Sequence, residues 1–223
     1  NEYLERPTGG SDGSSTKHTI SVWVKRTEIG VDSEPVSAGG IGRFRFESDD
    51  TFSYQFRSGR EIITNRKFRD PASWYHIVAV GDSTQATASN RMKLYVNGVQ
   101  ETSFSFTNYQ DQNQAAPGWG KNTLYSLRVG AAASNTRNFN GYIAEMYYID
   151  GQTLDPTYFG EFDSDSNIWK PKEFSGTYGS LDTYLDFEDS SNLGNNVTGG
   201  TDMNAVNITA ADQSVDTCTN NFA

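Results

Sequence analysis

Apolar and polar residues alternate along most of the first 190 positions, with a period of two. In 19–26, Ile20, Val22 and Val24 fall on one side, and Ser21, Trp23 and Lys25 on the other. That is the signature of a strand half-buried against a core. The same alternation recurs in 43–46, 51–57, 61–64, 91–96 and 184–188. Two stretches are apolar on both faces and predict interior strands. The first is 74–80, interrupted only by His76. The second is 142–149, where Tyr142, Ala144, Met146 and Tyr148 share one face. Ile143, Tyr147 and Ile149 share the other with a lone carboxylate, Glu145.

The connections read as turns. Asn97-Gly98 between two alternating runs predicts a tight hairpin, because both central residues of a type I′ turn need positive φ. Residues 27–42 read as a turn-rich connection ending in Gly39-Gly40-Ile41-Gly42, and 107–123 as a long polar and aromatic loop. One helical signal stands out: Asp155 as cap and Pro156 at the first position, good for one or two turns. A last short strand is anchored by Val206 and Ile208, and 212–223 reads as a linker or tail. About ten short strands with almost no helix predict an all-β fold, a jelly-roll β-sandwich of two antiparallel sheets with one short helix. The expected organisation is an N-terminal arm or loop over 1–18, the sandwich over 19–189 and a C-terminal extension or linker over 190–223.

Composition supports sheets. The chain has 223 residues, 12 Tyr and 13 Phe, and aromatics favour strands. No apolar run is long enough to predict a membrane-spanning helix. Net charge is −10, carried by the second half: residues 101–223 hold 5 basic and 16 acidic side chains. Such a surface repels a nucleic-acid backbone, which needs a basic stripe. One cysteine, Cys218, excludes an internal disulfide. Asn196-Val197-Thr198 and Asn207-Ile208-Thr209 match the glycosylation triplet.

Four strings in order carry a resemblance: Ile20-Ser21-Val22-Trp23-Val24-Lys25, Trp74-Tyr75-His76-Ile77-Val78, Leu94-Tyr95-Val96-Asn97-Gly98 and Phe139-Asn140-Gly141-Tyr142-Ile143-Ala144-Glu145. Together they resemble the concanavalin A-like lectin/glucanase superfamily, and within it the laminin-G-like jelly rolls. The strings Ile149-Asp150-Gly151-Gln152-Thr153-Leu154, Phe159-Gly160-Glu161-Phe162-Asp163 and Ile168-Trp169-Lys170-Pro171-Lys172 resemble jelly-roll proteins of tailed phages. Cys218 departs from that pattern, where similar sequences usually carry proline. The resemblance implies a non-enzymatic structural or adhesion protein on the virion surface, as fibre, knob or capsid decoration. Its expected partners are a host-surface glycan and other virion proteins, with self-association into a homo-oligomer. A secreted bacterial carbohydrate-binding module and a glycan hydrolase or depolymerase remain as alternatives.

Candidate sites are few. Sugars are gripped by aromatic faces and planar polar groups, and loop 107–123 offers Tyr109, Asp111, Asn113, Trp119 and Asn122. Trp23, Trp74 and Trp169 read as core. The resemblance also implies Ca²⁺ as a candidate ion on loop oxygens: Asp111 with Asn113, Asp189 with Asn192, or Glu161, Asp163 and Asp165. No catalytic residue is assigned. Glu145 and Asp150 lie an odd number of residues apart, about 16 Å along a strand, which defeats a retaining pair. Asp186 and Glu188 share a face, but Leu185 and Phe187 claim the core side. His76, with His18 read as lying in a loop, is expected to be a hydrogen-bonded strand histidine.

Overall fold

The computed structural model describes residues 1–9, 11–120, 125–216 and 218. Its first strands are β1 (Tyr3–Glu5), β2 (Lys17–Arg26), β3 (Ser33–Ala38), β4 (Gly42–Phe46), β5 (Phe52–Arg57) and β6 (Arg60–Thr64). Next come β7 (Tyr75–Asp82), β8 (Met92–Val96), β9 (Val99–Gln100), β10 (Phe104–Thr107) and β11 (Leu127–Val129). The last are β12 (Gly141–Asp150), β13 (Gly160–Phe162), β14 (Trp169–Pro171), β15 (Thr183–Leu185) and β16 (Asn204–Val206).

An eight-stranded sheet, ordered β10-β6-β5-β4-β3-β11-β1-β16, faces a six-stranded sheet, ordered β15-β12-β2-β7-β8-β9. Neighbouring strands pair antiparallel throughout. The fold is therefore the expected antiparallel sandwich. The alternating residues do what their period requires: Ile20, Val22 and Val24 meet Phe44, Phe46, Phe52 and Tyr54 in the core between the sheets. Asn97 (φ 48°) and Gly98 (φ 79°) make the hairpin turn between β8 and β9.

Several expectations change. Tyr3–Glu5, read as part of an arm, is β1, held between β11 and β16. Segment 27–42, read as connection, contains β3, whose six residues are all buried. Its Pro35 and two serines hide a strand inside the sheet. His18 lies in β2, not in a loop. Asp155 does cap the turn Pro156–Tyr158, which is 3₁₀, while the short α-helix is Pro117–Gly120 in the long loop.

The strand 142–149 is interior, flanked by β2 and β15, but its alternation breaks. A bulge between Ala144 and Tyr147 inserts one residue, and Glu145 there sits at φ 48°. Ile143 packs on the core before the bulge, and Met146 and Tyr148 after it. The extra residue changes the parity of the faces. Tyr147 and Ile149 turn outward, where Phe159 and Phe174 cover them in a second apolar cluster. That covering layer, with the β13–β14 hairpin, is why both faces of the six-stranded sheet can be apolar.

Candidate functional site

Outward from the six-stranded sheet, β2 presents Trp23 directly across from His76 of β7. The two rings stack at 4.8 Å between centroids, 16° from parallel. Trp169 of β14 lies at the edge of His76, its ring 21° from parallel and 5.9 Å away between centroids. Trp169 Nε1 donates to His76 Nδ1 at 2.8 Å. An indole nitrogen can only donate, so Nδ1 carries the lone pair. The imidazole proton is then on Nε2, 2.8 Å from Ser21 Oγ. Burial pushes the His76 pKa down to about 3, so the ring stays neutral. His76 is the hydrogen-bonded strand histidine its sequence context suggests.

Gly98 lets this assembly close. The Trp169 ring lies where a Cβ on Gly98 would stand. Around the ladder Trp23, Trp74, Trp169 and Cys218 form a cluster of their own. They line a cavity of about 370 Å³ with Ser73, Asn97, Phe162 and Ile168. Phe162 and Ile168 stand at 49% and 42% exposure, an apolar rim open to water. No charged side chain is among the described lining residues. Trp23 and Trp74 are only 3% and 7% exposed, yet neither indole N–H has a hydrogen-bond partner among the described residues. The sequence reading of these tryptophans as core holds for burial. It missed that three of them, far apart in sequence, meet around one cavity.

A second concavity, a groove of about 720 Å³, adjoins it at Cys218. β15 pairs only with Met146, Tyr147 and Tyr148, leaving the first half of β12 open on that side. Leu4, Val129, Ile143 and Phe187 line the groove beside Glu145, Asp186 and Glu188. Glu145 accepts from Tyr184 Oη at 2.8 Å and Tyr147 Oη at 3.4 Å. Burial raises its pKa against those two hydrogen bonds, and the charges of Asp186 and Glu188 raise it further. Asp150 keeps other company, accepting from Ser14 N at 2.9 Å. The segment after Asp212, expected to be a linker, folds back here. Gln213 Nε2 donates to Phe187 O at 2.7 Å, Asp216 pairs with Lys25 at 2.9 Å, and Cys218 is buried.

Loop 107–123 does not present the arrangement expected of it. Trp119 is 1% exposed and donates from Nε1 to Gln55 O at 3.0 Å. Its ring packs beside His18 and Tyr148, leaving no face for a sugar. The reason is plain: the Pro117–Gly120 turn carries the side chain back over β5. Tyr109 is half-buried against the core, and Asp111 is tied to Arg60 at 2.5 Å. Asn113 is exposed at φ 59°. Asn122 lies outside the described residues.

The Ca²⁺ candidates fit poorly. Among the described residues no three His, Cys, Asp or Glu side chains gather as a metal site. Asp163 is taken up by Lys170, Ser166 and the Asp165 amide, and Asp189 by Ser191. A Ca²⁺ needs six to eight oxygens, and these carboxylates already serve local donors. Of the glycosylation triplets, Asn196 is buried and its amide donates to Asp182 O, while Asn207 is exposed. No helix among the described residues is long and apolar enough to cross a membrane.

A laminin-G-type family model, described as the concanavalin A-like lectin/glucanases superfamily, matches residues 1–154. The chain belongs to that superfamily. Among solved structures, this lectin/glucanase-type sandwich is similar to a Bacteroides ovatus protein described as a candidate carbohydrate-binding protein. The two share 13% identity over 92% of this chain and 56% of that one, at a TM-score of 0.51. It thus spans little more than half that protein's length. Domain 4 of AbnA, an extracellular arabinanase of Geobacillus stearothermophilus solved with arabinotriose, is also similar. It shows 20% identity over 69% of this chain and 68% of that one, with a TM-score of 0.46. A pentraxin of Limulus polyphemus gives 15% identity over 69% and 71%, with a TM-score of 0.44. At these identities the likeness is one of fold. No curated protein sequence matches.

Proposed function

We propose that this superfamily member is a non-catalytic, glycan-binding adhesion protein. The observation that carries the reading is the uncharged, tryptophan-lined cavity on the outer face of the six-stranded sheet. Aromatic walls with a few polar groups are what a sugar ring requires, since its C–H faces stack while its oxygens need hydrogen bonds. The resemblance of 149–171 to tailed-phage jelly rolls supports a site of action on the virion surface. There it would engage host-surface glycan or another virion protein, and repetition in a homo-oligomer would raise avidity.

The test is binding of the purified chain to host cells and to their extracted surface polysaccharide, with Trp169→Ala as comparison. Binding by the wild type, reduced at least tenfold in the variant, supports the reading. Binding equal in both refutes the site, and no binding refutes the function. Imaging of particles with a tagged chain tests the virion placement.

The gathering of Glu145, Asp186 and Glu188 along one groove favours a second reading, glycoside hydrolysis, which needs two carboxylates across a scissile bond. Release of reducing ends from the same polysaccharide, lost in Glu145→Gln, would establish it over the first.

A further inference from the structure

The groove beside Glu145 runs along the edge of a strand. Gly141, Tyr142, Ile143, Ala144 and Glu145, consecutive residues of β12, all line it. Side chains alternate between the two faces of a strand, so a concavity that touches all of them lies along its edge. Exposure follows the pairing. Residues 146–148, which β15 pairs, are buried, whereas 141–145 are exposed or half-buried. β15 does not continue alongside them, because the chain turns at Phe187, φ 60°. The backbone of β12 aims into the gap. Asn140 O accepts from Thr27 N at 3.1 Å, across to the β2 side. Hydrogen-bonding direction alternates along an antiparallel strand, so Tyr142 and Ala144 also face β2. Gly141 and Ile143 point their N–H and C=O groups the other way, and no described residue pairs with them there.

We infer that this groove binds an extended segment of another protein, alternating apolar residues with Lys or Arg, which adds as a strand to the open edge of β12. An unpaired edge is a template for an added strand, and the groove supplies a different surface to each of its faces. On the core side the floor is Leu4, Val129 and Ile143. On the outer side Glu145 accepts from Tyr184 and Tyr147, and Asp186 shares the face of Tyr184 by alternation. The incoming residues that point inward are therefore apolar, and those between them meet carboxylates. The described lining holds Glu2, Glu145, Asp186, Glu188, Asp212 and Asp216 and no Lys, Arg or His. Burial raises the Glu145 pKa, and the charges of Asp186 and Glu188 add to it. Cations on the added strand relieve that repulsion. A second copy of this chain, with a net charge of −10, would bring more of the same sign. The inference does not depend on the tryptophan-lined cavity or on glycan binding.

The probe is a capped, fluorescently labelled peptide of alternating lysine and valine, KVKVKVK, titrated with the purified chain. It should bind, and in a ¹⁵N–¹H correlation spectrum the amide signals of Gly141 and Ile143 should move and exchange more slowly with solvent. GKGKGKG, which keeps the charge without the apolar side chains, and EVEVEVE should each bind at least about tenfold more weakly. N-methylating the valines, or separately the lysines, blocks the amides along one edge of the peptide or the other. A strand adds through one edge, so only one of the two methylated peptides should still bind. Asp186→Asn combined with Glu188→Gln should weaken KVKVKVK about fivefold or more, the worth of two exposed ion pairs. Equal binding of both methylated peptides, equal binding of GKGKGKG, or no binding of KVKVKVK overturns the proposal. Dimerisation in sedimentation that moves the same two amide signals also overturns it, because the edge then pairs with a second copy.

Discussion

The chain's two histidines, His18 and His76, make its stability acid-sensitive in a way that can be calculated. Both are fully buried. His76 stacks on Trp23 and meets Trp169 at its edge, with both ring nitrogens engaged. His18 shares its Nε2 with Tyr54 Oη at 2.7 Å, and its Nδ1 has no hydrogen-bond partner among the described residues. Protonating His76 would set a proton against the Trp169 N–H, and protonating His18 would create a buried, unpaired N–H. Burial accordingly pushes each from 6.5 down to about 3. The unfolded chain takes up these protons near its ordinary imidazole pKa, and the folded chain only far lower. Between those values the unfolded state binds more protons, so stability is fullest above the upper value and falls as pH drops towards the lower. At ~1.36 kcal/mol per pH unit, each histidine costs about 2.7 kcal/mol at about pH 4.5. Two such losses rival the whole stability of an ordinary domain, about 5–15 kcal/mol. The assay is guanidinium denaturation near pH 7.5 and near pH 4.5 for wild type, His18→Phe and His76→Gln. Phenylalanine suits the ring-lined site of His18, and glutamine can still accept from Trp169. Carboxylates titrating in the same range are common to all three proteins and cancel in the comparison. Each variant should lose about 2.7 kcal/mol less than wild type on acidification. Variants that lose as much as wild type would refute the reasoning.

Trp119→Ala should destabilise by about 3–5 kcal/mol, the cost of emptying a large aromatic site. It should leave glycan affinity unchanged in the folded fraction, as calorimetry alongside binding would show. Asp50 joins buried Arg26 at 3.2 Å, Arg69 at 2.9 Å and the Gly30 amide at 2.7 Å. Asp50→Ala strands the Arg26 charge and should cost about 3–5 kcal/mol in urea denaturation. Burial, with the Glu145 charge adding, pushes the Cys218 thiol up to about 12. Alkylation near pH 8 should therefore run roughly a thousandfold slower in the native protein than in urea, since only the thiolate reacts. Because the Glu145 pKa is raised, its contribution to stability is full below the ordinary glutamate value and is lost as pH rises through the raised one. Glu145→Gln, which keeps an acceptor for Tyr184, should thus gain thermal stability over wild type as pH goes from about 4 to about 7.

Much of the fold was legible because its signals are local. The alternation of Ile20, Val22 and Val24 needs only the strand's own geometry. Asn97-Gly98 needs only the sterics of positive φ, and Asp155-Pro156 only the first turn of a helix. Glu145 stands out in the sequence as a lone carboxylate among apolar residues, while its partners, the hydroxyls of Tyr184 and Tyr147, come from packing. The failures share a different character. β3 is a strand because neighbours on both sides pair with it, whatever Pro35 and its serines suggest. The bulge at Glu145 exists to reconcile β12 with β2 over ten residues, and nothing in 142–149 marks it.

The candidate site divides the same way. Sequence alone determined that the chain is an antiparallel sandwich rich in aromatic side chains. Tertiary structure decided which aromatics close the core and which wall a cavity. Trp119, in a loop that looked open, is carried inward by one turn of helix, whereas Trp23, Trp74 and Trp169 come together from three separate strings. Alternation tells a side chain which face of its own strand it occupies. Whether that face meets the other sheet, a covering hairpin or solvent depends on segments more than a hundred residues away, and only packing brings them together.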